Sequence, residues 1–289
     1  MTVSAPLMRY HGGKFRLAKW IMAHFPPATA FDVYVESFGG AAGVLLQKPR
    51  SYAEVYNDLD GEVTNLFEVL RHPRLRARLV EAIRLTPYAR HEFEQAFEMS
   101  EEPVESARRV LIRAQMGFGS AGATRGNSGF RTDTRRVGGT PQHHWQRMPL
   151  LIEVVAERLS GVLIENRDAL SVIAQHDSKR TLHYVDPPYP EETREKDHRS
   201  AYRYEMSNRQ HLDLLDHLMN ATGFVLLSGY DCDLYRNALR GWRMARRQTQ
   251  ASGQRGSSRR TECLWLNPRA AEWAGQLELG LNDQEVAHG

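Results

Sequence analysis

The residues with the clearest chemistry in this sequence are Asp186, Pro187, Pro188 and Tyr189, which follow the apolar run 182–185. Consecutive prolines fix the backbone and remove two N–H donors, so that neighbouring carbonyl oxygens stay free to accept hydrogen bonds. A carboxylate beside such carbonyls can hold an amino group, and a tyrosine offers its ring face to a flat partner. A proline turn that only ends a strand is the alternative. The four residues predict a site for a planar ring that carries an amino group.

Further acidic residues follow other strand-like runs. Glu36 precedes Gly39 and Gly40, whereas Asp58 and Asp168 end the next two runs. Glycines allow a ligand to approach the backbone closely, and an acid at the tip of the second strand of an α/β sheet typically binds a ribose diol. Asp168 faces an adenine ring or caps the helix that follows it. The sequence has neither a Gly-Lys-Ser/Thr phosphate loop nor a Gly-x-Gly-x-x-Gly pattern, so the glycine loop predicts a nucleotide-like ligand of another kind.

The elements that must position these residues form an alternating series. Seven apolar runs bounded by turn residues predict strands at residues 31–36, 52–57, 162–166, 182–186, 223–228, 242–249 and 262–267. Helical patterns alternate with most of them, which predicts a mainly parallel, doubly wound α/β sheet. The last two runs are joined by an Arg/Gly/Ser-rich loop without a crossover helix, so they are expected to pair as an antiparallel hairpin.

The alternation stops between residues 71 and 160, where helical patterns at 73–85, 91–98 and 104–115 precede a glycine- and arginine-rich stretch at 117–147. A loop of that length inside a compact domain is usually functional or disordered. We therefore predict a sheet domain formed by 1–70 and 161–268, an inserted module at 71–160 and a peripheral tail at 269–289. Near the end of the sheet domain, Ser207 and Gln210 form a predicted capping box. The helix that follows is expected to bury the face Leu212, Leu215, Leu218 and Met219.

Composition excludes several classes of protein. The chain has 289 residues, a net charge of +3 and 41% hydrophobic residues, and its mean hydropathy is −0.54. It contains no apolar run of 18 or more residues, which argues against a membrane span. Two cysteines cannot form a disulfide framework or a cysteine-rich zinc site. No signal-peptide pattern opens the chain, so we expect a cytoplasmic protein.

Arginine is concentrated in two stretches, residues 106–150 and 240–261. Asp133 is the only acidic residue in the first stretch, and the second has none. Guanidinium groups bind phosphates and guanine edges in a bidentate manner. Two solvated loops are the alternative, but both stretches together favour a polyanionic partner.

Taken together, residues 6 to about 267 resemble the Dam-type DNA adenine methyltransferases, with the same order of segments. These are the Gly-Gly-Lys segment, the glycine loop, the ribose acid, the inserted module and Asp-Pro-Pro-Tyr. The resemblance implies a seven-stranded class I S-adenosylmethionine-dependent methyltransferase sheet, which is Rossmann-like. It implies methyl transfer from S-adenosylmethionine to N6 of an adenine in double-stranded DNA, inside a bacterial or phage-infected cell. No metal, membrane or obligate protein partner is implied.

The resemblance also implies roles for individual residues. Those implied to be catalytic are Asp186, Pro187 and Tyr189. Those implied to bind the cofactor are Tyr10, Lys14, Glu36, Phe38, Gly39, Gly40, Asp58, Asp168 and Asp186. The inserted module implies target recognition, with an Arg/Asn pair on the loop 125–131 that reads base edges or touches phosphates. The predicted DNA contacts are Arg113, Arg125, Asn127, Arg131, Arg135, Arg136 and Arg255.

The chemistry of such a site is simple. An adenine amine is a poor nucleophile because its lone pair is delocalised, and two acceptors on its N–H groups direct that lone pair towards the methyl donor. The base must leave the duplex to reach the site, where Tyr189 would stack on it. Two alternatives stay open: methylation of RNA or of a protein glutamine amide, and a DNA-binding module without catalysis.

Overall fold

A computed structural model of the chain describes residues 3–119, 129–135, 139–190, 193, 202–253 and 256–273, without the side chains of 250–253 and 256–259. Its centre is a sheet of seven strands in the order β3-β2-β1-β4-β5-β7-β6. The strands are β1 (Val33–Glu36), β2 (Ala53–Asn57), β3 (Val162–Glu165), β4 (Thr181–Val185), β5 (Phe224–Gly229), β6 (Arg243–Gly253) and β7 (Gly256–Leu266). Strands β1 to β6 begin at or within two residues of the predicted starts. Strand β7 begins six residues before its predicted start at 262, because part of the stretch predicted as the hairpin loop is strand. Strands β1 to β5 run parallel.

Helices cover both faces of the sheet. They are α1 (Ala18–Met22), α2 (Gly61–Arg71), α3 (Pro73–Leu85), α4 (Arg90–Gln95), α5 (Pro103–Met116), α6 (Pro141–Gln146), α7 (Met148–Arg158), α8 (Ala169–His176), α9 (Asn208–Met219) and α10 (Asp233–Ala238). Over the residues that the structure describes, none of the helices has the length and apolar character that a bilayer crossing requires.

Alternation along the strands separates two layers of the core. Tyr34, Tyr56 and Tyr184 share one face of the sheet and join the largest buried cluster, together with the helical segment that follows β2. Val35 and Val55 point to the opposite face and pack against α8. Successive side chains of a strand point to opposite faces, so neighbouring residues of each strand serve the two layers. Because both faces are covered, the parallel strands read as nearly continuous apolar runs.

The predicted module boundaries do not divide the hydrophobic core. Within 71–160, Leu111 of α5 and Ile152 of α7 are fully buried in the same cluster as the strand tyrosines. Ala270, in the predicted peripheral tail, is also fully buried there. The sheet and the helical segment therefore fold around one shared apolar interior, which also includes Ala270.

Helix α9 begins at the predicted capping box. The Ser207 hydroxyl accepts from the Gln210 backbone N–H, and the Gln210 side chain accepts from the Ser207 backbone N–H. The predicted buried face was partly wrong, because Leu212 and Met219 are exposed. The buried stripe is His211, Leu214, Leu215 and Leu218. This spacing of i, i+3, i+4 and i+7 follows one face of a helix, whereas Leu212 and Met219 of the predicted set lie beside that face.

A buried ion network fixes β2 to helix α7. The Glu54 carboxylate of β2 accepts from Lys48 Nζ at 2.5 Å and from Arg158 Nη1 at 2.7 Å. Arg158 also donates to the Leu45 carbonyl oxygen at 2.6 Å. The three charged side chains are at most 7% exposed. Because they lie out of water, removal of one partner leaves charge without compensation.

We expect Glu54→Ala to lower the free energy of unfolding by about 3–5 kcal/mol, because it leaves Lys48 and Arg158 buried without their carboxylate. Urea unfolding followed by circular dichroism measures this change. Asp32→Ala is the matched control, since Asp32 pairs with Arg180 at an exposed site. Equal losses in the two variants would show that burial of the Glu54 network does not determine its contribution.

Candidate active site

The parallel register brings the carboxyl ends of the strands to one edge of the sheet. Glu36, the last residue of β1, lies opposite Tyr56 of β2 and Tyr184 of β4. Asp58 follows β2 directly, and Asp186 follows β4 directly. The chain order reverses between β1 and β4, and ligands of open α/β sheets bind at such a switch point. The acidic residues predicted from sequence therefore converge where this fold places its ligand site.

A cleft opens at this edge, with an empty volume of about 1190 Å³ that includes its mouth. All nine residues predicted to bind a cofactor line it: Tyr10, Lys14, Glu36, Phe38, Gly39, Gly40, Asp58, Asp168 and Asp186. Its wall contains tyrosine rings, glycine backbone and carboxylates side by side. Such a mixture suits a ligand that combines a flat ring with polar and charged groups.

Two carboxylates in the cleft are held by backbone N–H groups. Glu36 accepts from Leu45 N at 2.8 Å and from the Tyr34 hydroxyl at 2.7 Å. Asp58 accepts from Gly40 N at 2.7 Å and from Asp60 N at 2.8 Å. Burial raises the pKa of Glu36 to about 7 and that of Asp58 to about 6. Both groups therefore change charge within a pH range that is accessible to experiment.

The glycine loop lets two tyrosine rings pack closely against its backbone. Gly40 has φ +47°, and a Cβ atom there would lie 2.7 Å from the Tyr10 ring. A Cβ atom at Gly39 would lie 2.1 Å from the ring of Tyr56. The Tyr56 hydroxyl donates to the Gly40 carbonyl oxygen at 2.7 Å, which fixes the ring against the loop. Side chains at these two positions would displace the rings of Tyr10, which lines the cleft, and of Tyr56, which packs behind the loop.

Lys14 connects the cleft to the Asp-Pro-Pro-Tyr segment. Its Nζ atom lies 3.0 Å from Asp186 Oδ1 and 4.8 Å from the centroid of the Tyr189 ring. It also donates to the Gly12 carbonyl oxygen at 2.7 Å. Burial would lower the pKa of Lys14, but the carboxylates of Asp186 and Glu262 outweigh this effect and raise it. A single ammonium group thus contacts both the acid and the ring that the sequence predicts to hold an amino-bearing base.

The acid itself is held in an unusual environment. Burial raises the pKa of Asp186 above its ordinary value, and the Lys14 ammonium offsets part of that rise. Pro187 is buried directly after it and does not line the cleft. Asp168 caps helix α8 by accepting from Ser171 N at 3.0 Å, and it also lines the cleft, so both interpretations left open by the sequence fit its position.

The predicted DNA contacts have mixed outcomes. Arg113 is buried, and it donates to Glu62 Oε2 at 2.9 Å and to the Ala96 carbonyl oxygen at 2.7 Å. Arg131 is 6% exposed and donates to the Gln115 carbonyl oxygen at 3.4 Å. The structure contradicts both predictions, because an arginine that is buried and bonded within the protein does not present its guanidinium to a duplex.

The other predicted DNA contacts are exposed or lie outside the described residues, and their role stays a prediction. Arg135 is exposed. Arg125, Asn127, Arg136 and Arg255 lie outside the described residues. On the last hairpin, Arg247 is exposed and Arg246, which is 57% exposed, pairs with Asp231 at 2.7 Å.

Comparison with family models assigns the chain to a family. A family model described as D12 class N6 adenine-specific DNA methyltransferase matches residues 10–252. This chain belongs to that family. It is therefore an enzyme of the class that methylates adenine in DNA.

The chain was also compared with curated proteins and with solved structures. No curated protein matches it. A solved structure, a precorrin 8w decarboxylase of Methanobacterium thermoautotrophicum, is similar at 10% identity over 87% of this chain and 89% of that chain, with a TM-score of 0.36.

Sequence reasoning missed part of the wall of the D12 class cleft. Residues 202–206 line it, and a Cβ atom at Gly12 would lie 2.2 Å from the Tyr202 hydroxyl. Arg203 pairs with Asp60 at 3.1 Å and also with Glu62, which ties this wall to the start of helix α2. Nothing in the local sequence marks residues 202–206, because their partners come from distant parts of the chain.

We expect Gly39→Ala to destabilise the D12 class fold by about 1–3 kcal/mol, because the added methyl group overlaps the Tyr56 ring in a packed site. Gly61→Ala is the matched control, since its Cβ atom would meet nothing closer than Asn166 Oδ1 at 3.6 Å. Thermal and urea unfolding of both variants measure the difference. A stable Gly39→Ala protein would contradict the close approach seen at the loop.

Proposed function

We propose that this enzyme transfers a methyl group from S-adenosylmethionine to N6 of an adenine that has rotated out of duplex DNA. The observation that carries the proposal is the position of the Lys14 ammonium, 3.0 Å from Asp186 and over the Tyr189 ring, beside the cleft. The Lys14 nitrogen with its N–H groups already occupies this space, next to the Asp186 carboxylate and the face of the Tyr189 ring. An adenine amine needs the same two neighbours.

The residues of the cleft fit S-adenosylmethionine. Asp58 suits a ribose diol, and Glu36 suits the ammonium of the methionine part. Ser37 supports this fit: its Oγ is buried in the cleft wall and, among the described residues, has no hydrogen-bond partner. A buried hydroxyl without a partner is costly, so a polar ligand group is its expected partner. When bound, S-adenosylmethionine supplies a sulfonium methyl whose positive charge is lost on transfer.

The chain's own residues orient the target amine. Asp186 accepts one N–H of the amine, and the Pro187 carbonyl oxygen accepts the other. These two acceptors draw the nitrogen towards tetrahedral geometry and expose its lone pair. Lys14 keeps Asp186 ionised until the amine arrives. The amine then replaces the Lys14 ammonium beside the carboxylate. Positioning and electrostatics of this kind supply large rate factors without a covalent intermediate.

The arginine-rich hairpin provides the DNA surface in this proposal. Strands β6 and β7 pair antiparallel from Arg243 opposite Leu266 to Gly253 opposite Gly256. Within the described register, β5 contacts only residues 263–266 of β7, so the rest of the hairpin extends past the sheet. Phosphate contacts position a protein on DNA, and base contacts specify the sequence. The hairpin begins beside the catalytic edge, where a rotated base would enter.

We expect Asp186→Ala to lower methyl transfer by a factor of about 10² or more, because the amine loses an acceptor that was in place before reaction. Base-resolved detection of methyladenine in plasmid DNA from a methylation-deficient host, followed by purified-enzyme rates, measures the loss. Asp216→Asn, an exposed carboxylate on helix α9, is the control and keeps full activity. Undiminished transfer by Asp186→Ala would refute the mechanism.

We expect the affinity for S-adenosylmethionine to be greatest above pH 7 and to fall as the pH drops through about 7 and then about 6. These values are the raised pKa values of Glu36 and Asp58. The ligand favours the ionised carboxylates, so protonation of the free enzyme opposes binding. Calorimetric titrations from pH 5 to 8 measure the trend. The Asp58→Asn variant is expected to bind S-adenosylmethionine more weakly and to lose the fall in affinity near pH 6. An unchanged pH profile in that variant would remove Asp58 from the ligand site.

A further inference from the structure

Glu262 lies at the point where the arginine-rich hairpin leaves the sheet. The next residue along β7, Cys263, pairs with Gly229 at the end of β5. On its other side, Glu262 lies opposite Arg247 of β6. It is thus the first β7 residue beyond the contact with β5, and it stands at the base of the hairpin proposed to follow the DNA.

The Glu262 side chain turns towards the catalytic tyrosine. The Tyr189 hydroxyl donates to Glu262 Oε2 at 2.9 Å. The Tyr189 ring also meets the edge of the Tyr230 ring, with centroids 4.7 Å apart. Tyr230 in turn accepts from Arg260 Nη1 at 3.5 Å, on the same hairpin strand as Glu262. Glu262 therefore holds the Tyr189 hydroxyl, and the Tyr230 ring, which Arg260 contacts, packs against the Tyr189 ring.

A ring that stacks on an incoming base must keep its plane while the base arrives. The polypeptide fixes Tyr189 at its Cα atom, but the ring can still swing about its side-chain bonds. A hydrogen bond from a hydroxyl to a carboxylate is stronger than one between neutral groups, and here it holds the far end of the ring. Because that carboxylate belongs to the hairpin, a shift of the hairpin on DNA also shifts the ring.

We propose that Glu262 is a positioning residue that orients Tyr189 for stacking on the rotated adenine and transmits the placement of the hairpin on DNA to the active site. This inference rests on the proposed function. Glu262 acts through the Tyr189 hydroxyl and makes no contact with the reacting atoms. It differs in this respect from Asp186, which meets the amine directly.

Two routes of action can be separated by experiment. Glu262 also contributes to raising the pKa of Lys14, so a purely electrostatic role through that ammonium is the competing explanation. Glu262→Gln keeps an oxygen that accepts from the Tyr189 hydroxyl but removes the charge. Tyr189→Phe keeps the ring but removes the hydroxyl. If Glu262 acts through the Tyr189 hydroxyl, removing the Glu262 carboxylate does not lower the rate further in a protein that already lacks that hydroxyl.

The test is a double-mutant cycle with the full chain. The variants are Glu262→Ala, Glu262→Gln, Tyr189→Phe and Tyr189→Phe/Glu262→Ala. Single-turnover methyl transfer is measured on a duplex whose sequence is taken from the wild-type methylation pattern. Fluorescence of the same duplex with 2-aminopurine at the target position reports on stacking of the rotated base. Glu81→Ala, an exposed carboxylate on helix α3, serves as the control, and thermal unfolding verifies the fold of every variant.

We expect Glu262→Ala and Tyr189→Phe each to slow transfer by about tenfold to a hundredfold, which is the worth of a hydrogen bond to a charged group. The double variant is no slower than either single variant, and both singles change the 2-aminopurine signal. Glu262→Gln stays within about threefold of the wild type, because it keeps the acceptor.

Other outcomes overturn the inference. Additive losses in the double variant, or a Glu262→Gln enzyme as slow as Glu262→Ala, would assign Glu262 to the charge on Lys14. Wild-type rates in Glu262→Ala would remove it from the reaction, while the proposed function would still hold because the wild type and Glu81→Ala methylate adenine. Absence of adenine methylation by the wild type would instead refute the proposed function and this inference with it.

Discussion

The register of the parallel strands is the constraint on which the site depends. Strands β1, β2 and β4 end level with one another, so that Glu36, Asp58 and Asp186 meet at one edge although they are distant in sequence. A shift of one residue in a strand would turn its side chains to the other face of the sheet. The tyrosines at positions 34, 56 and 184 would then leave the large buried cluster. Packing of the core and assembly of the cleft are therefore enforced by the same register.

Charge at this edge is arranged around one buried ammonium. Lys14 lies beside Asp186 and over the ring of Tyr189, which itself donates to Glu262. Ionised groups out of water persist only with partners, so each of these residues depends on the others. In the proposed mechanism, an amine that displaces Lys14 therefore alters the surroundings of the acid and of the ring together. The buried network of Glu54, by contrast, lies outside the cleft lining and serves to join β2 to α7.

Sequence predicted the features of the fold that depend on neighbouring residues better than those that depend on residues far apart in the chain. The first six strands, the capping box of Ser207 and the helix Pro73–Leu85 follow from local patterns, and the structure has them at or near the predicted positions. The predicted buried face of α9 was partly wrong, because a set of leucines fits two adjacent faces of a helix and only packing decides between them. The boundaries at 71 and 160 followed a change in pattern, but the apolar residues on either side of them pack into one interior.

By itself, the sequence determined the chemical identity of the site: a carboxylate, two prolines and a tyrosine after a buried strand, preceded by a glycine loop and acids at strand ends. These are short-range features, and their chemistry does not depend on distant residues. Only the tertiary structure decided which arginines stay accessible, with Arg113 and Arg131 buried. It also decided that Lys14 meets Asp186 and that Glu262 holds Tyr189. The physical reason is that burial and pairing depend on contacts between residues far apart in the chain, and no local spacing records them.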